Sequence, residues 1–596
     1  MCRIAGIIST RLNTAETIEK VNIMCDALKH GGPDDGGIFL AEEKGIAFGH
    51  RRLSIIDLSK NGHQPMTDVN KKTWITFNGE IYNYLELKQQ LTQAGAKFYS
   101  HTDTEVILQA YLYWGIAAFG KFRGMFAFAL YDITKALTYL VRDTAGIKPL
   151  YYHIENGQLS FASEVKALHL AGIATGENKN WIIKFLAHGH VPEPDTTLNN
   201  VFSLPKGNLL CWSHHNSTYT IARYNEITVP DYYIKDAGVA EKAINNALRT
   251  AINRQLIADA PIGVFLSGGI DSSLITLLAN QQKQQQLKTI SIFFDEKEYD
   301  ERTYQQQILN KIQGDKFSHL VKKQDFEKSF SDILNSMDMP TTDGINTWFI
   351  SKYAHQDGLK AVLSGIGADE LFGGYPSFNR IKYIKYLRAV PSALLKAANG
   401  VTPNRYKKIA YLLYDHPLAD YLFLRGLFTP AEIAAILNCH AKEVTDVLFS
   451  PLLFSNPALN KQEKAAWFET NLYMQNQLLR DTDVMSMNHG LEVRVPFLDE
   501  DFQLLTNSIS PGIRFNKNQP KKLLIDSFKE ILPASVWNRP KMGFSFPLQQ
   551  WMGQNQEICN ENLYKSKKAQ QIIKEFKNNE VHWSKAFALY QIQMHA

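Results

Sequence analysis

The residues that could do chemistry begin at position 2, with a cysteine directly behind the initiator methionine. A lone cysteine is in most proteins a small apolar core residue, and the apolar stretch CRIAGII suits that interpretation. If Met1 is removed, Cys2 instead carries a thiol and a free α-amine, which are a nucleophile and a base on one residue. An α-amine has a reference pKa of roughly 7.7–8.0, so it can accept a proton at neutral pH.

Residues suited to amide hydrolysis follow this cysteine. A thiol that attacks an amide requires donors for the oxyanion and charged groups that hold an amino acid. Asn78 and Gly79, in FNGEIYNY, offer a side-chain amide and an unhindered backbone N–H. Arg52, in GHRRLSIID, can bind a carboxylate through two N–H groups, and Glu80 and Asp103 can bind an ammonium. Taken singly, each of these residues also fits a turn or a surface position.

A second stretch has the composition of a phosphate-binding loop. SGGIDSS, from Ser267 to Ser273, follows the apolar run IGVFL and precedes SLITLLAN, which predicts strand, turn and helix. Small residues let backbone N–H groups approach a phosphate, and a helix N-terminus favours an anion. The lysine of GxxxxGK[ST] is missing, so this is not the ordinary P-loop. The alternative is a glycine turn ahead of a helix.

Carboxylates follow a further apolar strand in LSGIGADELFGGY. Asp369 and Glu370, together with Asp271 of the first loop, are hard oxygen ligands of the kind that Mg²⁺ prefers. Such an ion would neutralise a departing pyrophosphate. The alternative is that Glu370 caps the helix that follows it.

Composition limits the class of protein. With 596 residues the chain should form two or more domains, and 45% hydrophobic and 21% charged residues are ordinary for a soluble globular protein. Five dispersed cysteines without a CxxC pair argue against disulfides and zinc and for a reducing compartment. A scattered net charge of +5, no signal peptide and no run of about 18 apolar residues predict a cytoplasmic protein without nucleic-acid or membrane partners.

The elements that must position these residues change along the chain. Short β-type runs separated by turns predict an α+β sandwich over residues 1–205. A stretch rich in Pro and turn formers then marks the junction, and residues 206–237 are interpreted as a linker region. From 238 to 596 single apolar strands alternate with helices, which predicts a parallel sheet with ligands at the carboxyl ends of its strands. Helical patterns dominate beyond residue 380.

The order of the motifs resembles a known family. SGGIDSS, LSGIGADELFGGY, LEVRVPFLD (491–499) and RPKMGFSFPL (539–548) are similar to the synthetase half of the glutamine-hydrolysing asparagine synthetase family. Cys2 and the residues behind it resemble the class II, N-terminal-nucleophile glutamine amidotransferases. The resemblance extends from Cys2 to about residue 550. It implies an α+β N-terminal-nucleophile sandwich followed by an α/β ATP-pyrophosphatase domain with a helical C-terminal part.

The same resemblance implies substrates and roles. Glutamine would supply ammonia, ATP with Mg²⁺ would adenylylate an acceptor carboxylate, and an internal channel would carry the ammonia. Lys541, in the family's Lys-x-Gly-Phe pattern, would stabilise charge on the adenylate and pyrophosphate. The implied catalytic residues are Cys2, Asn78, Gly79 and Lys541. The implied glutamine-binding residues are Arg52, Asn78, Glu80 and Asp103. The implied ATP-binding residues are Leu266, Ser267, Gly268, Gly269, Asp271, Ser272, Ser364 and Gly365. The implied Mg²⁺ ligands are Asp271 and Asp369.

Further positions match the family pattern without a catalytic assignment. These are Asp300, Glu301, Glu492, Arg494 and Asp499. A buried acidic–basic pair is more often part of the scaffold than of the chemistry, so Glu492 and Arg494 are interpreted as a structural ion pair.

Two positions depart from the family pattern. Gly31, in HGGPDDGG, stands where Arg is usual, in a loop that shapes the glutamine pocket. Ile366 stands where asparagine synthetases usually carry an acidic residue, and an isoleucine can neither accept a proton nor contact a cation. Either a neighbouring carboxylate such as Asp343 compensates and the acceptor is aspartate, or the pocket takes another carboxylate, such as a uronic acid or a peptide. A third alternative is a glutaminase or regulatory protein without synthetase activity.

The sequence therefore predicts a glutamine-dependent asparagine synthetase with small-molecule substrates: glutamine, ATP, and aspartate or another carboxylate. A homodimer is the assembly that we expect if the chain associates with itself.

Overall fold

The computed structural model describes residues 2–42, 45–225, 233–283, 286–397, 404–450, 459–516 and 518–595. The strands of these residues are β1 (Arg3–Ile8), β2 (Asp35–Ala41), β3 (Ile46–Arg52), β4 (Met66–Thr67), β5 (Thr73–Ile81), β6 (Gly124–Asp132), β7 (Leu137–Arg142), β8 (Tyr151–Glu155), β9 (Gln158–Ala162), β10 (Val201–Ser203), β11 (Asn208–Ser213), β12 (Thr218–Arg223), β13 (Ile262–Phe265), β14 (Lys288–Phe293), β15 (Asp315–Leu320), β16 (Ala361–Leu363) and β17 (Glu492–Arg494).

The α-helices of the same residues are α1 (Thr14–Ala27), α2 (Tyr84–Gln93), α3 (Asp103–Trp114), α4 (Val165–Leu170), α5 (Trp181–His188), α6 (Ala237–Gln255), α7 (Ile270–Lys283), α8 (Arg302–Leu309), α9 (Lys323–Ser336), α10 (Ile345–Gln356), α11 (Ala368–Phe372), α12 (Ser377–Arg380), α13 (Ile384–Arg388), α14 (Ser392–Ala397), α15 (Pro417–Arg425), α16 (Pro430–Leu437), α17 (Ala441–Leu448), α18 (Lys461–Phe468), α19 (Arg480–Met487), α20 (Glu500–Asn507), α21 (Pro511–Arg514), α22 (Lys522–Ser527), α23 (Ala534–Trp537), α24 (Leu548–Gly553), α25 (Lys567–Lys577) and α26 (Trp583–His595). A π-helix, Glu469–Leu479, connects α18 to α19.

Two antiparallel sheets form the N-terminal unit, residues 2–225. Their strand orders are β10-β8-β9-β1-β3-β2 and β12-β11-β7-β6-β5-β4. Because side chains alternate along a strand, β1 is apolar on both faces: Ile4 and Ile8 pack between the sheets, whereas Ala5 and Ile7 pack toward α1. Helices α1 and α4 lie by the first sheet, and α2 and α3 by the second. The predicted α+β sandwich is confirmed.

The strands of this sandwich continue past residue 205, where we placed the domain junction. Strand β11 pairs with β7 and β12 pairs with β11, so residues 208–223 of the interval 206–237 belong to the second sheet. The Pro-rich stretch connects α5 to β10 and is largely half-buried, because proline and turn residues end strands and helices inside a domain as well as between domains. Residues 226–232 lie outside the described part of the chain.

A parallel five-stranded sheet forms the centre of the C-terminal unit, residues 233–595. Its order is β15-β14-β13-β16-β17, and each adjacent pair runs parallel. From β13 the chain first adds β14 and β15 on one side, and then returns to add β16 on the other. The crevice between the carboxyl ends of β13 and β16 is therefore the topological switch point, where ligands bind in open α/β sheets.

The helices beyond residue 380 complete this unit, and the predicted helical C-terminal part is confirmed. None of the described helices has the length and apolar character needed to cross a membrane. The two units contact each other through polar pairs, among them Arg123 with Asp501 at 2.9 Å and Thr144 with Glu500 at 3.1 Å.

Candidate active sites

Cys2 lies immediately before β1 and its side chain is 8% exposed. The alternation along β1 turns Cys2 and Ile4 toward the interior of the sandwich. The Sγ atom is 4.0 Å from the carbonyl oxygen of Leu53. Burial raises the pKa of the thiol to about 11; the charge of Glu80 adds to this effect and that of Arg52 opposes it. A thiol in this environment needs a proton acceptor before it can act as a nucleophile at neutral pH.

Strand β5 carries Asn78 and Glu80 on the face that looks toward the first sheet. Two residues earlier on that face, the hydroxyl of Thr76 donates to the carbonyl oxygen of Gly49 at 3.1 Å, which joins the two sheets. The Asn78 side chain is fully buried, and neither its Nδ2 nor its Oδ1 has a hydrogen-bond partner among the described residues. Because an unpaired buried amide is costly, this side chain is suited to a ligand that completes its hydrogen bonds.

Gly79 stands between these two residues and must be a glycine. Its φ is +153°, and a Cβ atom there would lie 2.1 Å from the carbonyl oxygen of Met125 on β6. The strand geometry that presents Asn78 therefore excludes a side chain at position 79.

Two buried carboxylates lie at the end of β5. Asp103 begins α3 and accepts from the backbone N–H of Ile81 at 2.9 Å. Burial raises the pKa of Asp103 to about 7, although this N–H bond opposes the shift. Burial and the nearby Glu492 also raise the pKa of Glu80 well above its usual value. An ammonium group between these carboxylates would favour their ionised forms, as expected for an amino-acid site.

Arg52 ends β3 and is held by its own loop. Its guanidinium donates to the carbonyl oxygens of Ser59 at 2.9 Å and Asp57 at 2.6 Å. A Cβ on Gly62 would lie 1.8 Å from its Nη2 atom, so this glycine makes room for the guanidinium. The arginine is thereby fixed in orientation beside the sandwich interior.

The second site lies where β13 ends. Leu266 is buried, and the hydroxyl groups of Ser267 and Ser272 are 2.9 Å apart, which closes the loop onto the start of α7. The backbone N–H of Gly269 donates to the Ser267 hydroxyl at 3.3 Å, and Gly268 has a φ of +88°. The loop is thus preformed, with its backbone next to a helix N-terminus.

The loop after β16 meets this first loop. The backbone N–H of Ser364 donates to the carbonyl oxygen of Arg494 on β17 at 2.8 Å. A Cβ on Gly365 would lie 2.9 Å from Cβ of Asp271 and 3.1 Å from the backbone nitrogen of Ser272. The predicted nucleotide-binding residues therefore come together at the switch point of the sheet, and Gly365 permits the close approach.

A lysine that sequence reasoning missed stands between the two predicted metal ligands. Lys521, which is 5% exposed, places its Nζ 2.5 Å from both Asp271 and Asp369. Lys541 approaches Asp369 at 2.8 Å. Against the effect of burial, these two lysines lower the pKa of Asp369 to about 2. In the polar stretch NQPKKLL, Lys521 and Lys522 look alike, so the sequence gives no signal that one of them is buried.

Asp271 and Asp369 are the residues that would hold a magnesium ion, and in this structure the ammonium of Lys521 lies between their carboxylates. Oδ1 of Asp271 is buried and has no hydrogen-bond partner among the described residues. No group of three or more His, Cys, Asp or Glu side chains in the described part of the chain is arranged to hold a metal. Mg²⁺ is often held by only one or two carboxylates together with substrate phosphates, and Asp271 and Asp369 match that pattern. Glu370 is turned elsewhere and accepts from the Tyr375 hydroxyl at 2.8 Å.

The Glu492–Arg494 pair has the geometry of a scaffold element. The two side chains are fully buried and 2.5 Å apart, and Nη1 of Arg494 donates to the carbonyl oxygens of Gln255 and Ile257. Nη2 of Arg494 also lies 3.4 Å from Glu80, so this arginine of the C-terminal unit reaches the candidate glutaminase site. The sequence could not indicate the contact between Arg494 and Glu80, because the two residues belong to different units.

The other matched positions have different surroundings. Asp300 pairs with the exposed Arg302, and Asp499 caps α20. Glu301 lies 2.5 Å from Arg539, whose Nη2 also donates to the carbonyl oxygen of Gly268 at 3.0 Å. Arg539, also missed from the sequence, thus supports the SGGIDSS loop.

Ile366 and Asp343, the two residues that bear on the identity of the acceptor, differ in polarity. Ile366 is half-buried against the apolar core. Asp343 accepts from the backbone N–H of Gly344 at 2.8 Å, and burial raises its pKa while the charge of Arg425 opposes this. Arg425 stacks on Tyr473 at 3.7 Å. Asp343 is therefore a half-buried carboxylate whose ionised form is favoured by the charge of Arg425.

Comparisons with known proteins extend over both units. The family model for the glutamine amidotransferase domain matches residues 1–225, and the model for asparagine synthase matches residues 243–586. Asparagine synthetase [glutamine-hydrolyzing] 1 of Bacillus subtilis is 32% identical over 93% of this chain and 88% of its own length. A putative asparagine synthetase [glutamine-hydrolyzing] 2 of Methanocaldococcus jannaschii is 35% identical over 69% of this chain and 85% of its own length. Amidase chry2 of Gibberella zeae is 26% identical over 90% of this chain and 86% of its own length.

The matches identify the enzyme class, an ATP-dependent ligase that hydrolyses glutamine. With both family models in the order that the sequence motifs predict, this chain belongs to the glutamine-hydrolysing asparagine synthetase family.

Proposed function

We propose that this enzyme makes asparagine: it releases ammonia from glutamine at Cys2, adenylylates aspartate with ATP, and transfers the ammonia to the adenylate. The observation that carries the proposal is the unpaired buried amide of Asn78, on the face of β5 that looks toward the sheet of Cys2. A site with an unpaired donor of this kind is suited to an oxyanion.

The glutaminase steps follow from the residues around Cys2. With Met1 removed, the α-amine of Cys2 takes the thiol proton, and the thiolate attacks the amide carbon of glutamine. The Asn78 amide and the Gly79 N–H stabilise the oxyanion, while Arg52, Glu80 and Asp103 hold the α-carboxylate and α-ammonium. The α-ammonium returns the proton to the leaving group, which departs as ammonia. Water then hydrolyses the thioester to glutamate and restores the thiol.

The synthetase steps take place at the two glycine-rich loops. ATP binds with its phosphates along residues 267–272, and Lys521 and Lys541 balance their charge. An oxygen of the acceptor carboxylate attacks the α-phosphorus and pyrophosphate leaves; ammonia then attacks the acyl carbon and AMP leaves. A Mg²⁺ ion bound by Asp271 and Asp369 would supply charge neutralisation for the phosphates.

Aspartate as acceptor is supported by the relatives named asparagine synthetase. We assign to Asp343 the acidic function that Ile366 cannot perform. The alternative is amidation of a different carboxylate, such as a uronic acid or a peptide. It is favoured by the isoleucine itself and by the similarity to proteins named amidases.

One assay distinguishes these acceptors. The purified enzyme is incubated with ATP, Mg²⁺, glutamine and a panel of carboxylates, and pyrophosphate and amide products are measured for each. We expect pyrophosphate release and asparagine with aspartate. Release only with another acceptor would overturn the asparagine proposal, and glutamate production without any working acceptor would support the glutaminase or regulatory alternative.

The role of Cys2 has its own test. In Cys2→Ala we expect glutamine-dependent synthesis to disappear while synthesis with added ammonium persists, because free ammonia bypasses the first site. The parallel measurement is intact mass, which should show Met1 absent from the active enzyme. Loss of both activities would make Cys2 structural.

The proposal places the reaction in the cytoplasm, where ATP and reduced thiols are available. All five cysteines are free. The homodimer and the lack of a nucleic-acid partner stay predictions, which light scattering and an electrophoretic mobility assay would test.

A further inference from the structure

Arg3 is a fully buried charged residue that takes no part in the proposed glutaminase and synthetase steps. It follows Cys2 directly, and the alternation along β1 points it away from the thiol, toward the outer face of the first sheet. Its Nε donates to Glu164 at 2.8 Å and its Nη1 donates to Asp483 at 2.7 Å. Glu164 directly precedes α4 of the N-terminal unit, whereas Asp483 belongs to α19 of the C-terminal unit. Arg3 thus joins the strand next to the nucleophile to the other half of the enzyme.

Gly31 lies against this arginine. A Cβ atom on Gly31 would be 2.8 Å from Cγ and 3.0 Å from Nε of Arg3. A side chain at position 31 therefore cannot coexist with Arg3 in its present place. The family pattern usually has an arginine at position 31, and in this chain the space beside position 31 is filled by an arginine that comes from β1.

Other charged groups complete the ion pairs. Lys148 donates to Asp483 at 3.0 Å, and Lys166 and His30 lie 2.8 and 2.9 Å from Glu164. Neither lysine contacts both carboxylates. Among the described residues, the Arg3 guanidinium is the group that bridges them across the unit boundary, because its planar fork can donate in two directions.

Helix α19 extends this contact toward the second site. One residue beyond its start, Asp481 accepts from the hydroxyl of Thr341 at 2.5 Å. Thr341 in turn accepts from the backbone N–H of Asp343, at 3.3 Å. The helix that holds Arg3 is thus bound to the segment that carries Asp343.

We propose that Arg3 replaces the loop arginine of position 31 and is a positioning residue for Cys2, which it holds in register with α19. The inference rests on the proposed role of Cys2 as nucleophile. A misplacement of about 1 Å can cost an enzyme on the order of a hundredfold in rate, so a tether one residue from the nucleophile is expected to affect turnover. Because Arg3 points away from the glutamine pocket, its loss should lower kcat more than it raises KM.

The test is an exchange of the two residues in the full chain. Arg3→Gly, Gly31→Arg, the double variant and Arg3→Lys are compared with wild type by glutamate release and by melting temperature. We expect Arg3→Gly to lower kcat about tenfold with KM changed less than about twofold, in line with a nucleophile displaced by less than 1 Å. Gly31→Arg alone should also be impaired, because two arginines compete for one space. The double variant should recover kcat to within about threefold of wild type, and Arg3→Lys should fall between, because an ammonium lacks the fork.

Lys166→Met is the matched control, because Lys166 also pairs with Glu164 but contacts neither β1 nor Gly31; its kcat should stay at the wild-type value. An Arg3→Gly variant with a lowered melting temperature but unchanged kcat would make Arg3 structural only. A double variant no better than the single variants would overturn the replacement.

Failure of the proposed function is recognised separately, as wild type releasing no more glutamate than Cys2→Ala. In that case the melting temperatures of the four exchange variants still decide whether position 31 can take over from position 3. Recovery of the wild-type melting temperature in the double variant supports the replacement, and additive losses refute it.

Discussion

At the scale of single residues, burial gives several charged groups an ionisation behaviour that function can use. Asp103 of the N-terminal unit and Lys521 of the C-terminal unit are examples. The carboxyl of Asp103 has a raised pKa because it is buried, whereas the ammonium of Lys521 stays charged between two carboxylates despite its burial. The ionisation of each residue leads to a prediction that can be measured.

The pH dependence of glutamine hydrolysis should report Asp103. Its ionised form binds the α-ammonium, so kcat/KM for glutamine should fall as the pH drops through about 7, in addition to the fall caused by protonation of the α-amine. In Asp103→Asn the acid limb of the log kcat/KM profile should be less steep by about one unit, because one proton fewer is involved. Glu105→Gln, on the same helix but bonded to Ser100, should keep the wild-type slope. Equal slopes in all three proteins would contradict the assignment.

Binding of ATP should depend on Lys521 and not on its neighbour. Loss of one charge-assisted contact to phosphate costs roughly 1.5–3 kcal/mol, so Lys521→Met should bind Mg-ATP at least about tenfold more weakly by calorimetry. Lys522→Met is the control, since Lys522 is 42% exposed in its side chain and pairs with Asp526 on the same helix. The same Kd for both variants would place Lys521 outside the phosphate site.

At the scale of elements, two loops at the ends of adjacent strands meet at the candidate nucleotide site because a glycine lets them touch. Strands β13 and β16 pair in register, from Ile262 with Ala361 to Val264 with Leu363, so their following loops emerge side by side. The parallel pairing of β13 and β16 thus places the two loops next to each other. Each loop alone provides only part of the candidate site.

Gly365→Ala should separate these loops. The new Cβ would lie 2.9 Å from Cβ of Asp271, so the backbone must shift and Mg-ATP affinity should fall about tenfold or more, as expected for overpacking that costs about 1–3 kcal/mol. Gly512→Ala, where a Cβ meets no atom within 4 Å, should bind as wild type does. Undiminished affinity in Gly365→Ala would show that the loops do not cooperate in binding.

At the scale of the whole molecule, ion pairs buried between the units hold them together. Burial would raise the pKa of Asp483, but Arg3 and Lys148 more than offset this and keep the pKa below its usual value. A carboxyl with a lowered pKa in the folded state stabilises that state above its unfolded pKa, and this contribution is lost as the pH falls through the folded value.

The difference in melting temperature between wild type and Asp483→Asn should therefore be largest near pH 7 and shrink below about pH 4, the ordinary pKa of an aspartate. Removing one partner of a buried pair costs about 3–5 kcal/mol, which corresponds to several degrees at pH 7. Asp501→Asn is the comparison, because its side chain is 47% exposed and a pair of this kind contributes at most about 1 kcal/mol. A pH-independent difference for Asp483→Asn would refute the electrostatic origin.

The sequence by itself determined the class of fold and the two kinds of chemistry, because alternation along strands and glycine-rich turns are local properties and the order of the motifs can be read directly along the chain. The candidate site residues stay predictions. The sequence did not predict where the sandwich ends, since the turn residues before β11 look the same inside a domain as between domains. Tertiary structure alone decided which of Lys521 and Lys522 is buried, that Arg494 reaches Glu80, and that Arg3 fills the space beside Gly31. These contacts join residues far apart in the chain, and their energies depend on burial and on partners from other elements, which no local pattern of residue types records.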